Sequence, residues 1–221
     1  MQNTKIEWTG KVWNPVSGCY HNCDYCYARR MANRLRGRFG YPEDEPFRPT
    51  FHRDRIDEPS KLRKPTKIFV CSMGELFGEW VEDDWIDEVF HVVHENPQHT
   101  FQFLTKNPKR YLDRNNLYPR NVWLGVSVEN NDNLWRIEYL KSLINVSVKF
   151  VSFEPLLTPI YPNLRNINWV LIGALTGPHG FKPSQSWIDY IEVEAGNSGA
   201  KIFEKNNLYN NDRKLIQEFP D

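Results

Sequence analysis

Short apolar, β-branched runs recur along the chain, each followed by polar or helix-forming sequence. Residues 67–72 (KIFVCS), 100–106 (TFQFLTK), 121–129 (NVWLGVSVE), 148–154 (VKFVSFE), 168–174 (NWVLIGA) and 200–204 (AKIFE) are nearly continuous in hydrophobicity. That pattern predicts parallel strands covered on both faces. A further short strand is expected over 11–16. Helices are expected over 24–35, 82–95, 108–115, 131–143 and 186–197. Within 82–95, Trp85, Val89, Val92 and Val93 fall on one stripe to be buried. Alternation at this spacing means repeated βα units with right-handed crossovers, and six or seven strands favour a partial barrel over a closed eight-stranded one. The stretch 155–167 holds three prolines and is expected to lack a full helix. One segment breaks the rhythm. Rich in Pro, Arg and acidic residues, it reads as a basic insertion at about 37–65 within a single domain spanning 1–221.

Charge and composition change this picture little. Acidic and basic residues balance over the whole chain, so net charge predicts no class of partner. No run has the length of a secretion signal or a bilayer span, which implies a cytoplasmic protein without a membrane partner. In that reducing compartment four cysteines, three of them within eight positions, argue for metal binding over disulfides.

The three lie in GCYHNCDYCYARR as Cys19-x3-Cys23-x2-Cys26. Thiolates at this spacing can wrap one loop around a cuboidal cluster and bind three of its four irons. Clusters that only carry electrons usually have four cysteine ligands, and the remaining thiol, Cys71, is far away in sequence. The alternative is zinc with His21 or His52 as fourth ligand. No second ligand pair of the kind structural zinc sites use is visible.

At this motif the sequence resembles the radical S-adenosylmethionine superfamily, whose signature is Cys-x3-Cys-x2-Cys with an aromatic before the last cysteine, here Tyr25. Motif and order of elements match over nearly the whole chain. KIEWTGKVWNPVSGC, WLGVSVEN and SFEPLL look like a compact branch common in phages and prophages, some members of which have been likened to spore photoproduct lyase. The resemblance implies a partial (β/α)6 TIM-like barrel with the cluster loop after the first strand. It implies a [4Fe–4S] cluster, S-adenosyl-L-methionine, and a one-electron donor such as flavodoxin or ferredoxin. It also implies that the adenosylmethionine contacts sit at the C-terminal ends of the strands. Met73-Gly74-Glu75 matches the turn that holds the methionine amino group, without its first glycine. Ser127 and Glu129 at the end of the fourth strand match the polar position for the ribose hydroxyls or methionine carboxylate, and Ser152 and Glu154 on the fifth point the same way, next to the candidate cofactor pocket. Gly173 on the sixth matches the close approach to adenine, and Ala174 stands where related sequences continue with another glycine. Cys71 is either a core thiol or a hydrogen donor that quenches a substrate radical.

The substrate is less legible. Residues 29–64 carry eleven Lys/Arg against six acids, a local basic surface of the kind that binds phosphate polymers. Arg29, Arg30 and Lys106 are candidates for substrate contact, and Phe39, Tyr41, Phe47 and Phe51 for stacking on an extruded base. A nucleic acid, with a DNA photolesion as one case, is the favoured substrate. A peptide or small metabolite, or a zinc-bound binding module without catalysis, are the alternatives.

Overall fold

Seven parallel strands run in chain order across one sheet: β1 (Lys11–Trp13), β2 (Lys67–Val70), β3 (Thr100–Thr105), β4 (Val122–Ser127), β5 (Val148–Phe153), β6 (Trp169–Ile172) and β7 (Lys201–Glu204). Residues Gln2–Asn3 add an antiparallel edge to β1. The computed structural model describes residues 1–115, 117–177, 180–209 and 214–220. Helices α1 (Tyr27–Arg34), α2 (Asp83–Glu95), α3 (Lys109–Leu112), α4 (Trp135–Ser142) and α5 (Gln185–Ser198) lie between the strands. Residues 155–167 contain no helix. Among the described residues no helix is long and apolar enough to cross a membrane.

The sheet curls, and one side chain meets strands far apart in the order. Trp8 packs 4.6 Å from the ring of Phe69 on β2, 6.2 Å from Phe150 on β5 and 6.1 Å from Trp169 on β6. No ladder joins β1 to β7 among the described residues, so the barrel is partial. The segment around Trp8 reaches across that gap, with Glu7 accepting from the Asn206 amide at 3.1 Å. Alternate residues of each strand point inward. Phe69, Trp123, Phe150, Trp169 and Phe203 close the lower interior as one aromatic cluster, and the opposite faces pack under the helices. Both faces of the sheet are thus covered, which is why the strands read as unbroken apolar runs. On α2 the buried stripe is Ile86, Val89, Phe90, Val92 and Val93, whereas Trp85 sits at its margin and stacks on Phe51 at 5.6 Å.

The insertion is a packed cap. Its Thr50–Phe51 pairs antiparallel with Val16–Ser17, which directly precede the cysteine motif. Tyr41 and Phe47 pack with Ala28 and Ala32 of α1. They are 6 % and 7 % exposed, so neither is available to stack on a base, and Phe51 is taken up by Trp85; only Phe39, 71 % exposed, is free in that sense. His52 anchors the cap, with Nε2 2.7 Å from the buried Ser17 Oγ. Burial, then the nearby Arg55, lowers its pKa from 6.5 to about 4. A histidine depressed in this way contributes stability that is complete above its unfolded pKa and is lost as pH falls. The protein should therefore lose on the order of 1 kcal/mol, after allowance for solvent screening, between pH 7 and pH 5. Thermal melts of wild type and His52→Gln at the two pH values check this: the variant should show the smaller drop, and equal drops would rule His52 out as the cause.

Candidate active site

The C-terminal ends of the strands surround a cavity of about 310 Å³, the end at which barrel enzymes build their sites. Cys19, Cys23 and Cys26 form part of its wall. The loop that carries them is stapled on both sides by main chain. Gly18 donates to the Met73 carbonyl at 2.9 Å and accepts from the Glu75 amide at 3.1 Å, while the Cys19 amide donates to the Phe47 carbonyl at 3.0 Å. Only glycine suits position 18: its φ is +91°, and a Cβ there would stand 2.2 Å from the Arg48 carbonyl oxygen.

Local amides also serve the thiols. The His21 amide donates to Cys19 Sγ at 3.4 Å, and Cys26, the N-cap of α1, accepts from the Arg29 amide at 3.3 Å. Burial pushes the Cys19 thiol up to about 12, reinforced by Glu75 and the other two cysteines. In the metal-free chain that thiol keeps its proton, and a bound metal would displace it. Among the described residues no group of three or more His, Cys, Asp or Glu is closed up to hold a metal ion as it stands. The donor set itself fits an iron–sulfur cluster: three sulfurs from one loop facing one cavity, with amide donors already directed at two of them.

Behind the thiols lie two buried carboxylates. Glu75 accepts from Thr105 Oγ1 at 2.7 Å, the Lys106 amide at 2.9 Å and the Phe77 amide at 3.0 Å. His21 Nε2 lies 3.4 Å from its Oε2. Burial would raise this carboxyl, but the nearby His21 and the bonds from the Lys106 amide and Thr105 outweigh it and hold it below its ordinary value. Glu129, 3 % exposed, is the hub of the second network. It pairs with Lys106 Nζ, accepts from Arg136 Nη1 at 3.0 Å and Asn133 Nδ2 at 3.1 Å, and takes the Tyr25 hydroxyl at 2.9 Å. Tyr25 Oη in turn accepts from Lys106 Nζ at 2.9 Å. Burial brings Lys106 down to about 8, and it raises the Tyr25 phenol above its ordinary range. The motif's aromatic residue is therefore tied through its hydroxyl to the ends of β3 and β4.

The other candidates divide clearly. Ser127 and Ser152, in register on neighbouring strands, line the cavity with Cys71, Gly74, Glu75 and Glu154. Glu154 is paired with Lys205, which follows β7. Glu129 and Met73 are not part of the cavity lining. The Met73 carbonyl is taken by Gly18, and its side chain packs against the cluster of Tyr41 and Phe47. Ala174, not Gly173, reaches the cavity. A Cβ at 173 would stand 2.9 Å from Glu154 Cγ, so that glycine makes room for Glu154. Cys71 adopts φ +57°, is buried, and burial pushes its thiol up to about 12. Arg29 reaches Asn22 Oδ1 at 2.5 Å, and Arg30 donates to the Tyr25 carbonyl at 3.3 Å. Sequence reasoning missed Arg136, Thr105 and Lys205. Their only signal was a position in or just after βα junctions.

The model of a family described as a protein of unknown function, DUF5131, matches residues 3–213. The chain belongs to the DUF5131 family. The match runs from the edge strand past β7, so the cysteine loop, the cap and both carboxylate networks of this DUF5131 protein fall inside it. No curated protein and no solved structure matches the chain.

Proposed function

We propose that this DUF5131 protein is a radical S-adenosylmethionine enzyme. The observation that carries the reading is the placement of Cys19, Cys23 and Cys26 on the wall of the cavity at the strand ends. When bound, a [4Fe–4S] cluster with S-adenosylmethionine supplies one-electron reductive cleavage, and with it a 5′-deoxyadenosyl radical that can take hydrogen from an inert C–H bond. The chain's residues bind and orient. The three thiolates would hold three irons, the Gly74–Glu75 turn would serve the amino-acid end of the cofactor, and Ser127 and Ser152 would offer hydroxyls to its ribose. Trp8, Phe69 and Leu104 on the same wall exclude water.

The substrate proposed is a nucleic acid. Tyr27, a cavity-lining residue, shares one face of α1 with the exposed Arg30 and Arg34, which places cations beside the mouth while the reacting base enters it. Among the described residues the lining includes no Lys or Arg free of a carboxylate partner, since Lys106 pairs with Glu129 and Lys205 with Glu154. That suits phosphates held outside. Anaerobic reconstitution should load about four irons per chain, and the reduced protein should give an electron paramagnetic resonance signal that changes when S-adenosylmethionine is added. Zinc without iron would contradict the reading. Arg30→Glu/Arg34→Glu should weaken single-strand binding about tenfold in low salt.

Cys71, on the cavity wall, serves in this reading as hydrogen donor to the substrate radical. Cys71→Ala should keep its iron and its uncoupled nucleoside formation and lose most product on an ultraviolet-irradiated oligonucleotide substrate. Undiminished product would assign Cys71 to the core alone.

A further inference from the structure

Two ion pairs stand at the strand ends, and they differ in what they leave open. Around Glu129 the bonding is complete: Lys106, Arg136, Asn133 and the Tyr25 hydroxyl all reach the one carboxylate. Glu154 and Lys205 make the second pair, just past the ends of β5 and β7, and both line the cavity. Their bond joins Lys205 Nζ to Glu154 Oε1. Among the described residues no other hydrogen bond or ion pair reaches Glu154 Oε2 or Lys205 Nζ. Glu154 Oε2 is not enclosed by protein atoms, and the two side chains remain 27 % and 15 % exposed.

The fold makes room for this pair. A Cβ on Gly173 would stand 2.9 Å from Glu154 Cγ and 3.1 Å from Lys205 Cδ, so both stems use space that a side chain would fill. An open acceptor beside open donors then selects a ligand by its chemistry. The pair is net neutral: a phosphate would meet Glu154, and a cation would meet Lys205, as a like charge. A neutral group with an N–H beside an acceptor answers both residues. A trans peptide bond does not, because its N–H and C=O point to opposite sides. A ring amide carries both on one edge, as thymine, uracil and guanine do. Cytosine and adenine place a ring nitrogen with one lone pair where those bases have a carbonyl with two, a poorer match to an ammonium.

We infer that Glu154 and Lys205 read the ring-amide edge of the base that enters the cavity. Glu154 accepts from the ring N–H, and Lys205 donates to the neighbouring carbonyl. The inference rests on the nucleic-acid substrate proposed above.

The test is calorimetric titration of the reconstituted protein with a short oligonucleotide carrying one thymine among abasic sites, beside the same strand with N3-methylthymine. The methyl group removes the N–H and keeps the carbonyls. Wild type should bind the thymine strand about tenfold more tightly. Glu154→Gln should lose that preference, because Lys205 keeps the amide oxygen and the NH2 is turned to the base. Lys205→Met should bind both strands more weakly. Iron content and affinity for S-adenosylmethionine should stay equal in all three proteins, which guards against a disturbed rim. Equal binding of the two strands by wild type would overturn the base contact and leave the substrate class standing. A preference that survives Glu154→Gln, or a Lys205→Met variant that binds as wild type does, would overturn the role of the pair. So would loss of S-adenosylmethionine affinity with the thymine preference intact, which would assign the pair to the cofactor. A wild-type protein that binds neither strand would instead overturn the nucleic-acid substrate, and this contact with it.

Discussion

Replacing Glu129 by Ala should cost about 3–5 kcal/mol of stability, the largest loss expected from a single side chain in this protein. The carboxylate is buried and answers two cations, Lys106 and Arg136, that are themselves 18 % and 12 % exposed at the side chain. Removing it leaves both without a counter-charge in a place where water cannot replace it. The control is Glu129→Leu combined with Lys106→Met and Arg136→Met. Taking out the whole charged set should recover much of the loss, because the cost lies in the unpaired charges rather than in the missing bonds. Urea denaturation checks this by the shift in midpoint at constant slope. An Ala variant within about 0.5 kcal/mol of wild type would mean that the network is solvated and holds nothing.

Gly18→Ala is the second large effect. The added Cβ would meet the main chain of Arg48 and Phe47, at 2.2 Å and 2.7 Å from their carbonyl oxygens, at a φ that alanine tolerates poorly. Backbone strain and overpacking together should cost about 2–5 kcal/mol. The damage should also be directional. Gly18 joins the thiol loop to the turn after β2, so the loop moves away from the cavity and iron retention should fall with the stability. A variant as stable as wild type but unable to hold iron would place the defect in the loop alone. One unchanged in both respects would contradict the stapled geometry.

Much of the fold was legible because its cause is local. The runs at 67–72 and 148–154 are apolar on both faces, and the structure covers both faces, one with helices and one with the aromatic interior. The partial barrel was legible too, from the number of strands; the ring that packs across its interior was not, since Trp8 lies outside every strand and yet touches β2, β5 and β6. In the site, the three cysteines were readable from spacing within one loop. The hub at Glu129 was not, because Lys106, Arg136 and Tyr25 meet there only through the register of β3 with β4 and the start of α4. Gly173 was read as a close approach to a ligand, a role open to any strand-end glycine; packing against Glu154 uses it instead. Tyr41 and Phe47 were read as stacking surfaces because composition cannot tell an exposed aromatic from one that closes a cap over α1.

The most direct measurement is 5′-deoxyadenosine formation by the anaerobically reconstituted protein, reduced with dithionite in the presence of S-adenosylmethionine, beside a Cys19/Cys23/Cys26→Ala triple variant. The cavity and its thiols predict the nucleoside from wild type and none from the variant. Equal amounts from both, or none from a wild-type protein carrying its full iron, would contradict the assignment of a radical enzyme.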